Sequence, residues 1–145
     1  MTISDKGIEA IKYFEGVKLQ SYKDSVGIWT IGVGHIQGVT EGMTITEEQV
    51  NKYLKEDLQP ILKAVNKCGE LTQNQYDALC SFAFNLGTRS LLTSTLLKKI
   101  KAKAPANEIR TQFKRWCKAG GKTIKGLLIR REKEADMFLD GVYPC

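Results

Sequence analysis

Glu15, Asp24 and Thr30 are the residues whose types and spacing point most directly to chemistry. They stand in the stretch FEGVKLQSYKDSVGIWTIGVGH, residues 14–35, with Asp24 nine positions after Glu15 and Thr30 six after Asp24. The first carboxyl closes an apolar-periodic segment, with Gly16 directly behind it. The second lies in a turn-like KDSVG. The hydroxyl lies in an alternating run rich in aromatic and β-branched residues. Two carboxyl groups in unequal environments can divide the roles of acid and base in cleaving a bond. In the last turn of a helix, Glu15 meets the negative end of the macrodipole, a poor place for a carboxylate and one that favours the protonated acid. A residue that breaks a local rule is a functional candidate. The plainer roles are a solvated surface acid for Glu15, an Asx-turn for Asp24 and an ordinary strand former for Thr30.

These three residues need a helix end, a turn and a strand to hold them. Ser4 as N-cap, with Ile3 and Ile8 as a staple, starts a helix whose stripe is Ile8, Ile11 and Phe14, and Gly16 stops it. From Leu19 to about Ile36 the period becomes two, with strands on either side of the turn at 22–27. Thr46 with Gln49, and Thr72 with Gln75, read as capping boxes that open two further helices. The first of these contains Pro60, where a kink is expected. A short helix around 92–100, one from about 107 to 117 and one from about 124 to 139 complete the chain, with Gly120-Gly121 as an interruption. The expected class is α+β. A small strand-bearing lobe spans about residues 16–45. A helical lobe of about 46–145 takes in the N-terminal helix, and a ligand groove lies between the two.

At 145 residues the chain is expected to form one domain with a real core. No stretch approaches the roughly 18 apolar residues of a membrane span. The opening MTISDKGIEAIKYFEG is not a signal peptide. Cys68, Cys80, Cys117 and Cys145 form no CxxC, and His35 is the only histidine, so neither zinc nor another metal is expected. With no leader expected, the four are expected as free thiols, with Cys145 as the reactive one. The formal charge is +6 overall, but residues 98–145 hold thirteen Lys or Arg against five Asp or Glu, a net +8. That basic third is either a solvated face or an attractor of polyanions. No nucleic-acid motif accompanies it, so nucleic acid is not expected as a partner.

FEG, YKDSVGIWTIGVGH, QNQYDALCSFAFNLG at 73–87 and KGLLIRREKEADMF near the end resemble the lysozymes of tailed bacteriophages, glycoside hydrolase family 24. The resemblance covers nearly the whole chain. It implies a two-lobed lysozyme-like fold and an endolysin that hydrolyses the β-1,4 bond between N-acetylmuramic acid and N-acetylglucosamine in peptidoglycan glycan strands. It implies inversion at the anomeric carbon, with Glu15 as general acid and Asp24 and Thr30 positioning the water, and no cofactor. Gly34, Ile36 and Phe84 match positions lining the sugar cleft, with Asn85 and Thr95 as further substrate-binding candidates. Asp57 is placed near His35, the two forming a structural pair that ties the lobes. The chain is expected to act as a monomer and to adsorb to the anionic envelope through its basic third. It is expected to wait in the host cytoplasm until a partner such as a holin opens the membrane, and then to act on the wall. A lytic transglycosylase or a chitinase on the same fold is the alternative.

Overall fold

The computed structural model describes residues 1–144; the expectation that Cys145 is reactive lies outside them. Helix α1 spans Asp5–Glu15. Ser4 caps it by accepting the Gly7 N–H at 3.1 Å, and Gly16 leaves it at φ 79°, ψ 163°, a conformation that only glycine adopts without strain. Strands β1 (Lys18–Lys23) and β2 (Trp29–Gly32) pair antiparallel with Tyr22 opposite Thr30 and Lys23 opposite Trp29. The segment around Met43–Ile45 extends this sheet along β1: Ser21 N–H donates to Met43 O at 2.8 Å and Ile45 N–H to Leu19 O at 2.9 Å.

Helix α2 (Glu47–Val65) opens on the Thr46–Gln49 box and contains Pro60 within its length. Helix α3 (Gln73–Leu86) is buried along most of its length, and α7 (Lys125–Asp140) packs on it. Between them lie α4 (Thr88–Leu92), α5 (Thr95–Lys101) and α6 (Ala106–Lys114). The mainly helical α+β class is the one expected.

Two local readings are corrected. The helix expected around 92–100 is α5 and starts at Thr95, because Ser94 caps it by accepting the Leu97 N–H at 3.0 Å, and the short α4 before it was not expected. Gly120-Gly121 is not a mere interruption. Both residues have positive φ, 58° and 79°, and they turn a two-stranded hairpin, β3 (Lys118–Ala119) with β4 (Lys122–Thr123). Adjacent glycines supply the positive φ that a two-residue hairpin turn requires.

Tyr76, Phe113 and Phe138 are buried core residues, and Trp116 packs edge-on against Phe82 at 5.5 Å. Asp77 is fully buried on α3 and joins both chain ends. It accepts the Ser4 N–H at 3.0 Å, the Gln73 amide at 2.9 Å and the Tyr143 hydroxyl at 2.6 Å. Burial, followed by this carboxylate, pushes the Tyr143 phenol up to about 12. Cys68, Cys80 and Cys117 are buried free thiols, and burial pushes Cys68 and Cys80 up. No helix among the described residues is long and apolar enough to cross a membrane.

Candidate active site

Glu15 is the last residue of α1, and its side chain is 23% exposed. Its surroundings are not those the helix dipole alone suggests. Arg130 of α7 donates from Nη1 to Glu15 Oε2 at 2.5 Å. The same guanidinium lies over the Phe14 ring, 4.8 Å from its centroid. One carboxyl oxygen is thereby anchored, and Oε1 has no hydrogen-bond partner among the described residues.

Asp24 follows β1 and shapes the hairpin turn. Its Oδ1 accepts the Val26 N–H at 2.9 Å and the Ile28 N–H at 2.8 Å. Both amides donate to the one oxygen, which leaves Oδ2 free. Thr30 is buried, on β2. Its hydroxyl donates to Ile28 O at 2.9 Å, and that carbonyl also accepts the Asp24 N–H at 2.9 Å. Asp24 and Thr30 are therefore locked to one peptide unit of the same hairpin.

Behind the hairpin, Gly34, Ile36, Gln37, Asp57 and Phe84 line a surface depression of about 490 Å³. The structure thus brings Gly34, Ile36 and Phe84 together, as the sequence reading placed them, and adds Gln37. Asn85 is exposed at the end of α3, its Oδ1 accepting from Arg131 Nη2. Thr95 stands exposed in the first turn of α5 and is not among the residues lining the depression. His35 Nδ1 lies 2.8 Å from Asp57 Oδ2, and its ring stacks on Tyr53 with centroids 4.3 Å apart. This pair ties the loop after β2 to α2. Asp57→Asn is expected to lower unfolding stability by roughly 1–3 kcal/mol, since it weakens a charge-assisted bond to a buried ring. Thermal melting checks this, and an unchanged midpoint would strip the pair of its structural role.

Sequence reasoning missed the group behind Glu15. Glu134 is fully buried, and Arg130 and Arg131 converge on it. Arg130 Nε lies 3.2 Å from Oε2 and Arg131 Nε lies 3.0 Å from Oε1. Ser81 on α3 donates its hydroxyl to Oε2 at 2.5 Å, and Arg130 Nη2 donates to Ser81 O at 3.1 Å. Burial pushes the Glu134 carboxyl up, against the guanidiniums of Arg131 and Arg130 and the Ser81 hydroxyl. Burial likewise pulls the Arg131 guanidinium down. A guanidinium stands near each oxygen, and the two oppose the effect of burial on the carboxyl. The signal was present in the sequence, since two arginines three and four residues before a glutamate share its helix face.

The group has no His, Cys, Asp or Glu cluster suited to a metal among the described residues. A model of the phage lysozyme family matches residues 12–134. The chain belongs to the phage lysozyme family. It is 44% identical over 146 residues to the endolysin of Salmonella phage P22, covering 96% of this chain and 99% of that one. The solved endolysin of Escherichia coli O157:H7 phage FAHEc1 superposes with a TM-score of 0.92 at 42% identity, covering 100% and 98% of the two chains. The muramidase domain of SpmX from Asticaccaulis excentricus superposes with a TM-score of 0.85 at 36% identity, covering 95% and 97%. The fold is lysozyme-like, and the family consists of glycoside hydrolases acting on peptidoglycan. The protein has the function of an endolysin.

Proposed function

We propose that the protein hydrolyses the β-1,4 bond between N-acetylmuramic acid and N-acetylglucosamine with inversion, using Glu15 as general acid and Asp24 with Thr30 to position the attacking water. The observation that carries this reading is the inequality of the two carboxyl groups. Glu15 is held by one oxygen and offers the other at a helix end; Asp24 is held by two backbone amides, with Oδ2 open. Protonated Oε1 of Glu15 would give its proton to the leaving glycosidic oxygen. Asp24 would take a proton from water as that water attacks the anomeric carbon, and the Thr30 hydroxyl would share the same water. Gly34, Ile36, Phe84 and Asn85 would bind the sugar, with Thr95 farther along the strand. The kinship with a muramidase domain supports the choice of bond.

The whole chain, residues 1–145, works in this reading as one monomeric domain. It acts on the wall once it has left the cytoplasm of the host. A transglycosylase on the same fold would release anhydro sugar ends and would need no second carboxyl group. Product analysis of digested peptidoglycan tests the reading: new reducing ends support hydrolysis, and anhydro ends would replace it with the alternative.

The basic third contributes attraction to the anionic envelope. Its charges are not all available. Lys99 pairs with Glu108 at 3.1 Å, Arg110 with Asp136 at 2.9 Å, and Arg130 and Arg131 are buried. Lys98, Lys101, Lys118, Lys122 and Lys125 are exposed, with no ion pair among the described residues. Replacing Lys98, Lys101, Lys118 and Lys122 by Glu is expected to reduce co-sedimentation with isolated cell walls severalfold at low salt. The effect should shrink toward molar salt, where the screening length is about 3 Å. Unchanged sedimentation would show that the charge is only a solvated face.

A further inference from the structure

We propose that Glu134 is a positioning residue for the reaction, fixing Glu15 through Arg130 and Asn85 through Arg131. This rests on the acid role proposed for Glu15. One buried carboxylate has two guanidiniums on it, and each guanidinium extends a second arm to the surface. Arg130 reaches Glu15 and Arg131 reaches Asn85. Ser81 closes the cluster from α3, donating to Glu134 and accepting from Arg130. The acid on α1 and the amide at the end of α3 are therefore referenced to a single point on α7. With its Oδ1 occupied, Asn85 can turn its Nδ2 donors outward.

Stability alone does not account for this cluster. Arg131 is fully buried, yet neither its Nε nor its Nη1 makes a hydrogen bond among the described residues, and Glu134 Oε1, 3.0 Å from that Nε, makes none either. Buried ion pairs are weak contributors to stability, and an apolar replacement is often no worse. The charges suggest what is gained. Arg130 and Arg131 carry two positive charges, and Glu134 as a carboxylate cancels one of them. Without Glu134, both guanidiniums would act on Glu15 alone and hold it as the carboxylate, the form that cannot donate a proton. The ionisable groups around the cluster are Arg130, Arg131 and Glu134 on α7, Glu15 on α1, and Cys117 beyond α6 near Arg131.

The test compares Glu134→Gln and Ser81→Ala with the wild-type protein, at equal folded fraction judged by circular dichroism. The measurement is clearing of permeabilised cells as a function of pH. Glu134→Gln is expected to clear on the order of ten- to a hundredfold more slowly. Its activity should fall away on the alkaline side at a lower pH than in the wild-type protein. Ser81→Ala is expected to move both quantities in the same directions by less. If Glu134→Gln fails to fold, Ser81→Ala decides alone. Wild-type rate and pH profile in the folded variants would show that the cluster is merely structural. Failure of the wild-type protein itself to clear would strike at the proposed function instead.

Discussion

Glu15→Gln is expected to slow wall clearing by roughly 10²–10⁴-fold, the range contributed by a positioned general acid. The side chains have the same shape. Glutamine can still accept the Arg130 Nη1 donation through its carbonyl oxygen, so the anchoring contact survives in weaker form. What disappears is the proton that would go to the leaving oxygen. The Arg130 guanidinium also keeps Glu134 and Ser81, so the buried group does not lose its other partners. The variant should therefore bind cell walls normally and remain folded. A Glu15→Gln protein that clears cells within a few fold of the wild-type rate would eliminate Glu15 as the acid.

Asp24 calls for two substitutions, because it does two things. Its Oδ1 organises the turn through the Val26 and Ile28 amides, and its Oδ2 is the atom proposed to act on water. Asp24→Asn keeps an oxygen for the turn but abolishes the charge and the basicity. It is expected to melt close to the wild-type protein and to lose roughly 10²–10⁴-fold in clearing rate. Asp24→Ala removes both functions, so it should lose activity to a similar extent and also about 1 kcal/mol of stability for the missing turn bonds. An active Asp24→Asn protein paired with an inactive Asp24→Ala protein would assign Asp24 to the turn alone.

The readings that succeeded from sequence were those settled within a few residues. Ser4 caps α1 and Thr46 boxes with Gln49 because each bonds a backbone group three positions away. The Asp24 turn joins two strands whose alternation is already visible in YKDSVGIWTIG. The β3–β4 hairpin escaped notice because its strands are two residues long, too short for a period to show, and only Gly120-Gly121 marks it. Arg130 escaped for a different reason. It lies 115 positions from Glu15, and nothing local says that α7 delivers a guanidinium to the end of α1. Its own helix alone leaves Glu15 in an uncompensated negative field, whereas the fold supplies a cation. The same holds for Ser81 and Asn85, whose partners come from α7 and whose own helix gives no sign of them.

The most direct test of the mechanism is the anomeric configuration of the first product. Soluble peptidoglycan fragments can be digested in an NMR tube and the new reducing-end signal recorded before mutarotation equalises the anomers. Direct attack by a water held at Asp24 and Thr30 turns a β-linked sugar into an α product, so the α signal is expected to appear first. A first-formed β signal would mean that the configuration is retained, that water is not the direct nucleophile, and that Asp24 and Thr30 do not play the roles proposed for them.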